Sequence, residues 1–404
     1  MTKGKSNVVS RPEGKVLNFD HLVFWVGNAK AIASYFVTRL GFSPLAVQDP
    51  SEERPVVSHA VRLNQITLVF ESPTTSSSEL AKDLAAHGDF VKDVAFEVHN
   101  LDELVRRAKE GGAMVVKGIT EKADENGSVR YAVLRTYGDN THTLIDRSNY
   151  SGTLLPGYKA VGDDEINQFL PPTNLRFIDH VEGNMADGTL EESVAWYEKN
   201  LNLQRFWCVD YKHDLVPYSS INSASVINND ETVLLSMNEA AKGIRPTSKA
   251  SEFVKALGTA GVEHIALYTD DIVATMKSLK ARGADILTWP STYYDLIREK
   301  LQTSSLKVSE GIDALQENNI LIDFDERGYM MQAFTKHVQA RPTVFIEILQ
   351  RKNHRGFGAM NYKWVFEAIE RLEASKVTIQ EEKKEKGKNI KKEKNDEVKP
   401  KAEA

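Results

Sequence analysis

LRFIDHVEG (175–183) sets a histidine among apolar residues in a stretch that reads as a β-strand. The same plan occurs upstream in NFDHLVFWV (18–26). VKDVAFEV (91–98) and GVEHIALYT (261–269) complete a set of four strands of one design. A helix follows each of them. The first stops near Gly41. The second starts at Asn100, with Glu103 placed for a capping box, and ends at Gly111-Gly112. The third offers Thr189 with Glu192 as a further capping box and ends near Asn200, and the fourth ends at Gly283. Shorter β-rich runs come next, at 60–71, 129–137, 219–227 and 320–334. This self-similarity predicts an α+β chain of four β-α-β-β-β units arranged in two pairs.

Laying the halves over one another sharpens the chemistry. FDH around His21 matches IDH around His180, and VKDVAF matches VEHIAL, which sets Asp93 opposite His264. Matching HTLID to TVFIE sets Asp146 opposite Glu347. The N-terminal copy thus carries His, Asp and Asp where the C-terminal copy carries His, His and Glu. Glu347 stands in an otherwise apolar, β-branched strand (343–349), where a carboxylate is costly unless it is paired or holds a metal. A lone strand histidine is more often a hydrogen-bonded core ring than a ligand. Two histidines and a carboxylate at equivalent places on separate inward-facing strands instead match the facial triad of a non-haem Fe(II) oxygenase, which leaves coordination positions open. The expected ligands are therefore His180, His264 and Glu347, holding one Fe(II). The first half is read as lacking an iron site, with His21 a hydrogen-bonded barrel residue.

The 404 residues suit two domains, and an apolar fraction of 41% supports two cores. The expected division is a flexible N-terminus (1–16), an N-terminal barrel without iron (17–150), a linker (151–173), a C-terminal catalytic barrel closed by a lid helix at 361–375 (174–375) and a disordered charged tail (376–404). A net charge of −6 offers no broad basic face for nucleic acid. No run has the length of a membrane span, and the N-terminus has no apolar signal core. The single cysteine, Cys208, excludes an internal disulfide framework and fits a reducing, cytoplasmic setting.

The repeat resembles the vicinal oxygen chelate fold, in which paired units curl into half-open barrels around a metal. More narrowly, the chain is similar to the 4-hydroxyphenylpyruvate dioxygenase family. LPGY (155–158), IDHVEGN (178–184), YSSIN (218–222), VEHIAL (262–267), PSTYYDLIREKL (290–301), GYMMQAFTK (328–336), RPTVFIEILQR (341–351) and GFGAMNY (356–362) carry the resemblance. It implies oxidation of 4-hydroxyphenylpyruvate by O2 to homogentisate and CO2 in tyrosine catabolism, by a dimer or tetramer, with a homodimer expected here. The same three residues are implied as iron ligands. Gln332, Phe334 and Asn238 are implied in catalysis, and Ser223, Asn238, Glu263, Gln332, Phe334, Phe345, Phe357, Asn361 and Tyr362 in substrate binding. Aromatic faces suit a flat phenol, and amide or hydroxyl groups suit its polar end. Four positions depart from the family pattern. Glu263 stands for a glutamine, Tyr362 for a phenylalanine, Met360 for a glycine and Ala240 for a proline. Glu263 is expected to be paired with a donor, with Gln332 as the candidate. Two rivals are a hydroxymandelate synthase, expected to carry a smaller aliphatic residue at the position of Phe334, and a metal-free binder of aromatic ligands.

Overall fold

The computed structural model describes residues 13–206, 218, 220–243 and 247–374. Cys208, residues 1–12, Ser375 and the tail at 376–404 lie outside the described residues. The first sheet contains β1 (Lys15–Trp25), β2 (Ser43–Gln48), β3 (Val56–Leu63), β4 (Ile66–Pro73), β5 (Phe90–His99), β6 (Val115–Asp124), β7 (Gly127–Arg135), β8 (Thr141–Asp146) and β9 (Lys159–Ala160). The second contains β10 (Leu175–Asn184), β11 (Gln204–Phe206), β12 (Ile221–Ile227), β13 (Leu234–Ala240), β14 (Gly261–Thr269), β15 (Leu321–Phe324), β16 (Tyr329–Phe334) and β17 (Phe345–Lys352).

The strand orders are β6-β7-β8-β5-β1-β4-β3-β2-β9 and β11-β12-β13-β10-β14-β17-β16-β15. In each sheet two units meet at an antiparallel central pair, β1 with β5 and β10 with β14. Within each unit the first and last strands run parallel, with a helix making the crossover. Both sheets curl into half-barrels, and each crossover helix packs against the strands of its own unit.

Local side-chain caps start several of the helices, but not all. Asn28 caps the helix Ala29–Leu40 by accepting from Ala31 N, and Asn100 accepts from Glu103 N at 3.4 Å. Thr189 does not cap Leu190–Leu201 with its side chain. There Glu239, from β13, accepts from Leu190 N at 3.0 Å, so a tertiary contact replaces the expected local one.

The fourth unit departs from the other three. Helices at Ser291–Gln302 and Ile312–Glu317 intervene before β15, and Ile286 makes only an isolated bridge to Thr335. The segment PSTYYDLIREKL supplies the first of these helices, burying Tyr293 and Tyr294. The closing helix spans 359–374. Tyr293 OH donates to Asn361 Oδ1 at 2.8 Å, which fastens that helix to the fourth unit.

Arginines tie the halves together. Buried Arg282 donates to the carbonyls of Val37 and Thr38, each at 3.1 Å, and Arg107 donates to Lys199 O at 2.8 Å. These carbonyls belong to the last turns of helices, whose C-terminal oxygens lack intrahelical partners and favour cations.

Candidate active site

Three strands of the second sheet bring His180, His264 and Glu347 together. His264 lies beside Phe345 across β14 and β17, while Ala266 lies beside both His180 and Glu347. The period of two along a strand then turns all three side chains to one inner face. Their exposures are 1%, 6% and 1%. His264 Nε2 is 3.1 Å from Glu347 Oε2 and 3.2 Å from His180 Nε2, and His180 Nε2 is 3.6 Å from Glu347 Oε2. The three donor atoms lie within 4.8 Å of one another. Two imidazole nitrogens and a carboxylate oxygen converging inside a barrel suit a divalent first-row metal and leave its other side free for ligands.

Outer contacts orient these side chains. Asp179 Oδ1 accepts from His180 Nδ1 at 2.8 Å, leaving Nε2 to face the site. Arg351 grips Asp179 in a bidentate pair, Nε–Oδ2 at 2.9 Å and Nη2–Oδ1 at 2.7 Å. Burial works against the Asp179 charge, but Arg351 and then His180 hold its carboxyl well below the usual carboxylate range. Arg351 Nη1 also donates to Gly356 O at 2.6 Å, anchoring the loop that carries Phe357. Gln332 Nε2 donates to Glu347 Oε1 at 2.7 Å and to Phe357 O at 3.1 Å, and its Oε1 accepts from Asn361 Nδ2 at 2.9 Å. Gly358, at φ +84°, is required there: a Cβ would come within 1.9 Å of Gln332 Oε1.

Burial opposes charge on both Glu347 and His264. His264, His180 and Gln332 nevertheless hold Glu347 below its ordinary value, and Glu182 followed by Glu347 pushes His264 up to about 9. Metal must therefore displace a proton from His264 at neutral pH. The expected result is that apparent metal affinity rises with pH below about 9, with about one proton released per ion. Calorimetric titration in two buffers of different ionisation enthalpy measures that release. A pH-independent affinity would contradict it.

Aromatic rings pack on the histidines. Phe345 stacks on His264 at 4.9 Å, Phe357 meets His180 edge-on at 5.1 Å, and Phe334 lies edge-on to Phe345 at 5.9 Å. On the polar side, Ser223 Oγ donates to Asn238 Oδ1 at 2.5 Å, and Asn238 Nδ2 donates to Glu182 Oε1 at 2.6 Å. Tyr362 is half-buried on the closing helix.

Two expectations are corrected. Gln332 does not pair with Glu263, because its amide is committed to Glu347, Phe357 and Asn361. Glu263 instead faces Glu182, and burial followed by that neighbouring carboxylate pushes it up to about 7, with His264, Asn184 and Lys249 working the other way. Asp146 is also not opposite Glu347. The pairs Asp93–Thr141 and Phe96–Leu144 correspond to His264–Phe345 and Leu267–Ile348, so Thr143 matches Glu347 and Arg147 matches Arg351.

The first half accordingly keeps the outer frame and a histidine, His21, but has Asp93 and Thr143 in place of His264 and Glu347. Asp20 accepts from His21 and pairs with Arg147, as Asp179 does with His180 and Arg351. Asp93 accepts from Thr141 Oγ1 at 2.5 Å and from Thr143 N at 3.3 Å. Sequence reasoning passed over Asp179, Arg351 and Glu182. The aspartate repeated before both histidines was the available signal for the first of these.

The two sheets and the inner triad define a class, and models of the glyoxalase/bleomycin resistance protein/dioxygenase superfamily match residues 20–131 and 177–299, one in each half. The chain is 46% identical over 361 residues to a 4-hydroxyphenylpyruvate dioxygenase of Xenopus tropicalis, covering 88% of this chain and 91% of that protein. A Dictyostelium discoideum protein of the same name is 44% identical over 362 residues, covering 89% and 98%. The chain belongs to the 4-hydroxyphenylpyruvate dioxygenase family. Among solved structures, a mutant 4-hydroxymandelate synthase from Streptomyces coelicolor matches with a TM-score of 0.71 at 26% identity, covering 89% of this chain and 99% of that one. A fusion of a xylose isomerase-like TIM barrel with 4-hydroxyphenylpyruvate dioxygenase matches in fold, with a TM-score of 0.64 at 20% identity, covering 91% of this chain and 55% of that one.

Proposed function

We propose that this chain converts 4-hydroxyphenylpyruvate and O2 to homogentisate and CO2 in tyrosine catabolism, using Fe(II) held by His180, His264 and Glu347. The buried triad is the observation that carries the reading, in a chain of this family. Held by His180, His264 and Glu347, Fe(II) would supply the centre for O2 activation and for binding a 2-oxo acid. The protein's part is orientation and exclusion of water. Phe345, Phe334 and Phe357 give the phenol ring apolar faces to lie against. Ser223, Asn238, Gln332 and Asn361 supply fixed polar groups, and Tyr362 lines the closing helix. That helix, anchored by Tyr293 and Gln332 through Asn361, acts as the lid. Phe334 favours attack on the ring over hydroxylation of the benzylic carbon.

The test is O2 uptake by the purified chain after anaerobic loading with Fe(II). Saturable uptake with 4-hydroxyphenylpyruvate is expected, and none after loading with Zn(II). Equal uptake by both forms, or uptake by neither, refutes the reading. A cytoplasmic homodimer belongs to the same proposal, supported by the single cysteine and by the family. Light scattering on the eluting protein tests the dimer.

Glu263→Gln tests the nearest departure from the family. A glutamine amide can donate to Glu182, the neighbouring carboxylate that, after burial, pushes Glu263 up to about 7. The expected result is an unchanged product and a KM shifted by less than about tenfold, or roughly 1.4 kcal/mol. Steady-state kinetics from pH 6 to 9 measure it. A change of product would make Glu263 a determinant of the reaction.

A further inference from the structure

We infer that Glu182 is the positioning residue for His264, the counterpart of Asp179 behind His180. The inference rests on reading His264 as a metal ligand through Nε2. A neutral imidazole that gives one nitrogen to a metal carries its proton on the other, and that N–H needs an acceptor when it is buried. For His180 the acceptor is Asp179. For His264 the Nδ1 is buried and makes no hydrogen bond, and Glu182 Oε1 lies 3.5 Å away.

Three observations place Glu182 for this task. Glu182 and His264 are direct cross-strand partners on β10 and β14, so their side chains share the inner face. Glu182 Oε1 is itself held by Asn238 Nδ2 at 2.6 Å, and Asn238 by Ser223 Oγ at 2.5 Å. The chain Ser223–Asn238–Glu182–His264 therefore links the polar wall of the cavity to a metal ligand. The first half gives an internal comparison. The partner of Asp93, which stands where His264 does, is Val23. The carboxylate is present in the half that has the histidine and absent from the half that lacks it.

The test is Co(II) titration of the full chain and of Glu182→Val, Glu182→Gln and His264→Ala, followed by the visible spectrum of the bound ion. Glu182→Val, which copies Val23, is expected to weaken Co(II) binding about 10–100-fold and to alter the spectrum. Glu182→Gln keeps an acceptor oxygen while removing the charge and should recover most of the loss. Unchanged affinity in Glu182→Val overturns the inference, and so does equal weakening in both variants, which would make charge the cause. Full affinity in His264→Ala would instead overturn the ligand assignment beneath it. Should Glu182→Val fail to fold, nitrogen-edited NMR of the Zn(II)-loaded wild-type chain decides. A hydrogen-bonded proton on His264 Nδ1 is expected, and an unprotonated Nδ1 overturns the inference.

Discussion

His264→Ala and His180→Ala are each expected to purify without stoichiometric iron and to lose at least roughly a thousandfold in turnover, about 4 kcal/mol of transition-state stabilisation. Each change removes one of three buried donors that converge within 4.8 Å, and no described neighbour supplies a replacement nitrogen there. His21→Ala is the matched control. His21 has the same aspartate–arginine support behind it, yet its sheet offers Asp93 and Thr143 where the second sheet offers His264 and Glu347. Iron content and turnover should therefore stay near the wild-type values in His21→Ala. Elemental analysis and an oxygen electrode measure both quantities. Full iron in His264→Ala, or loss of iron in His21→Ala alone, would overturn the assignment of the halves.

Asp179→Ala is expected to destabilise the fold by about 3–5 kcal/mol, because it leaves the Arg351 guanidinium partly buried without its counter-ion. Metal affinity should fall about 10–100-fold as well, since His180 loses the acceptor that fixes its ring. Asp20→Ala breaks the equivalent pair with Arg147 and should cost similar stability while leaving metal affinity unchanged. The sign of the pH dependence follows from the depressed carboxyl of Asp179. Its contribution is fully present above the unfolded value near 3.9 and is lost as pH falls through the lower folded value. The gap between wild type and Asp179→Ala in urea denaturation should stay constant from pH 7 to 5 and shrink only below about pH 4. A gap that closes by pH 6 would contradict the pairing.

The four-unit plan was legible because each opening strand carries the same apolar pattern and each first helix stops at a small or amide residue, such as Gly41 and Gly283. The triad was legible for a related reason, since a buried histidine or carboxylate in a β-branched run has few inexpensive explanations. Register was harder to read. HTLID and TVFIE align by eye on their final acids, but pairing with β5 and β14 slides the match by three residues and turns Asp146 away from the site. There it accepts from Ser148 N and Oγ. A short apolar strand does not fix its own register; its neighbours do. The partners of Gln332 and Glu263 were hidden for the same reason. They depend on the loop at 356–358 and on Glu182, which come close only after the sheet has curled. The extra helices of the fourth unit lack the repeat that exposed the other elements.

The product formed under isotopically labelled O2 separates ring oxidation from its alternatives in one measurement. The Fe(II)-loaded chain is given 4-hydroxyphenylpyruvate and labelled O2, and the product is identified by mass spectrometry and NMR. The expected product is homogentisate labelled in both the new ring hydroxyl and the carboxylate, with one CO2 released per O2 consumed. A benzylic alcohol such as 4-hydroxymandelate, or substrate recovered unchanged from the iron-loaded protein, would contradict ring oxidation.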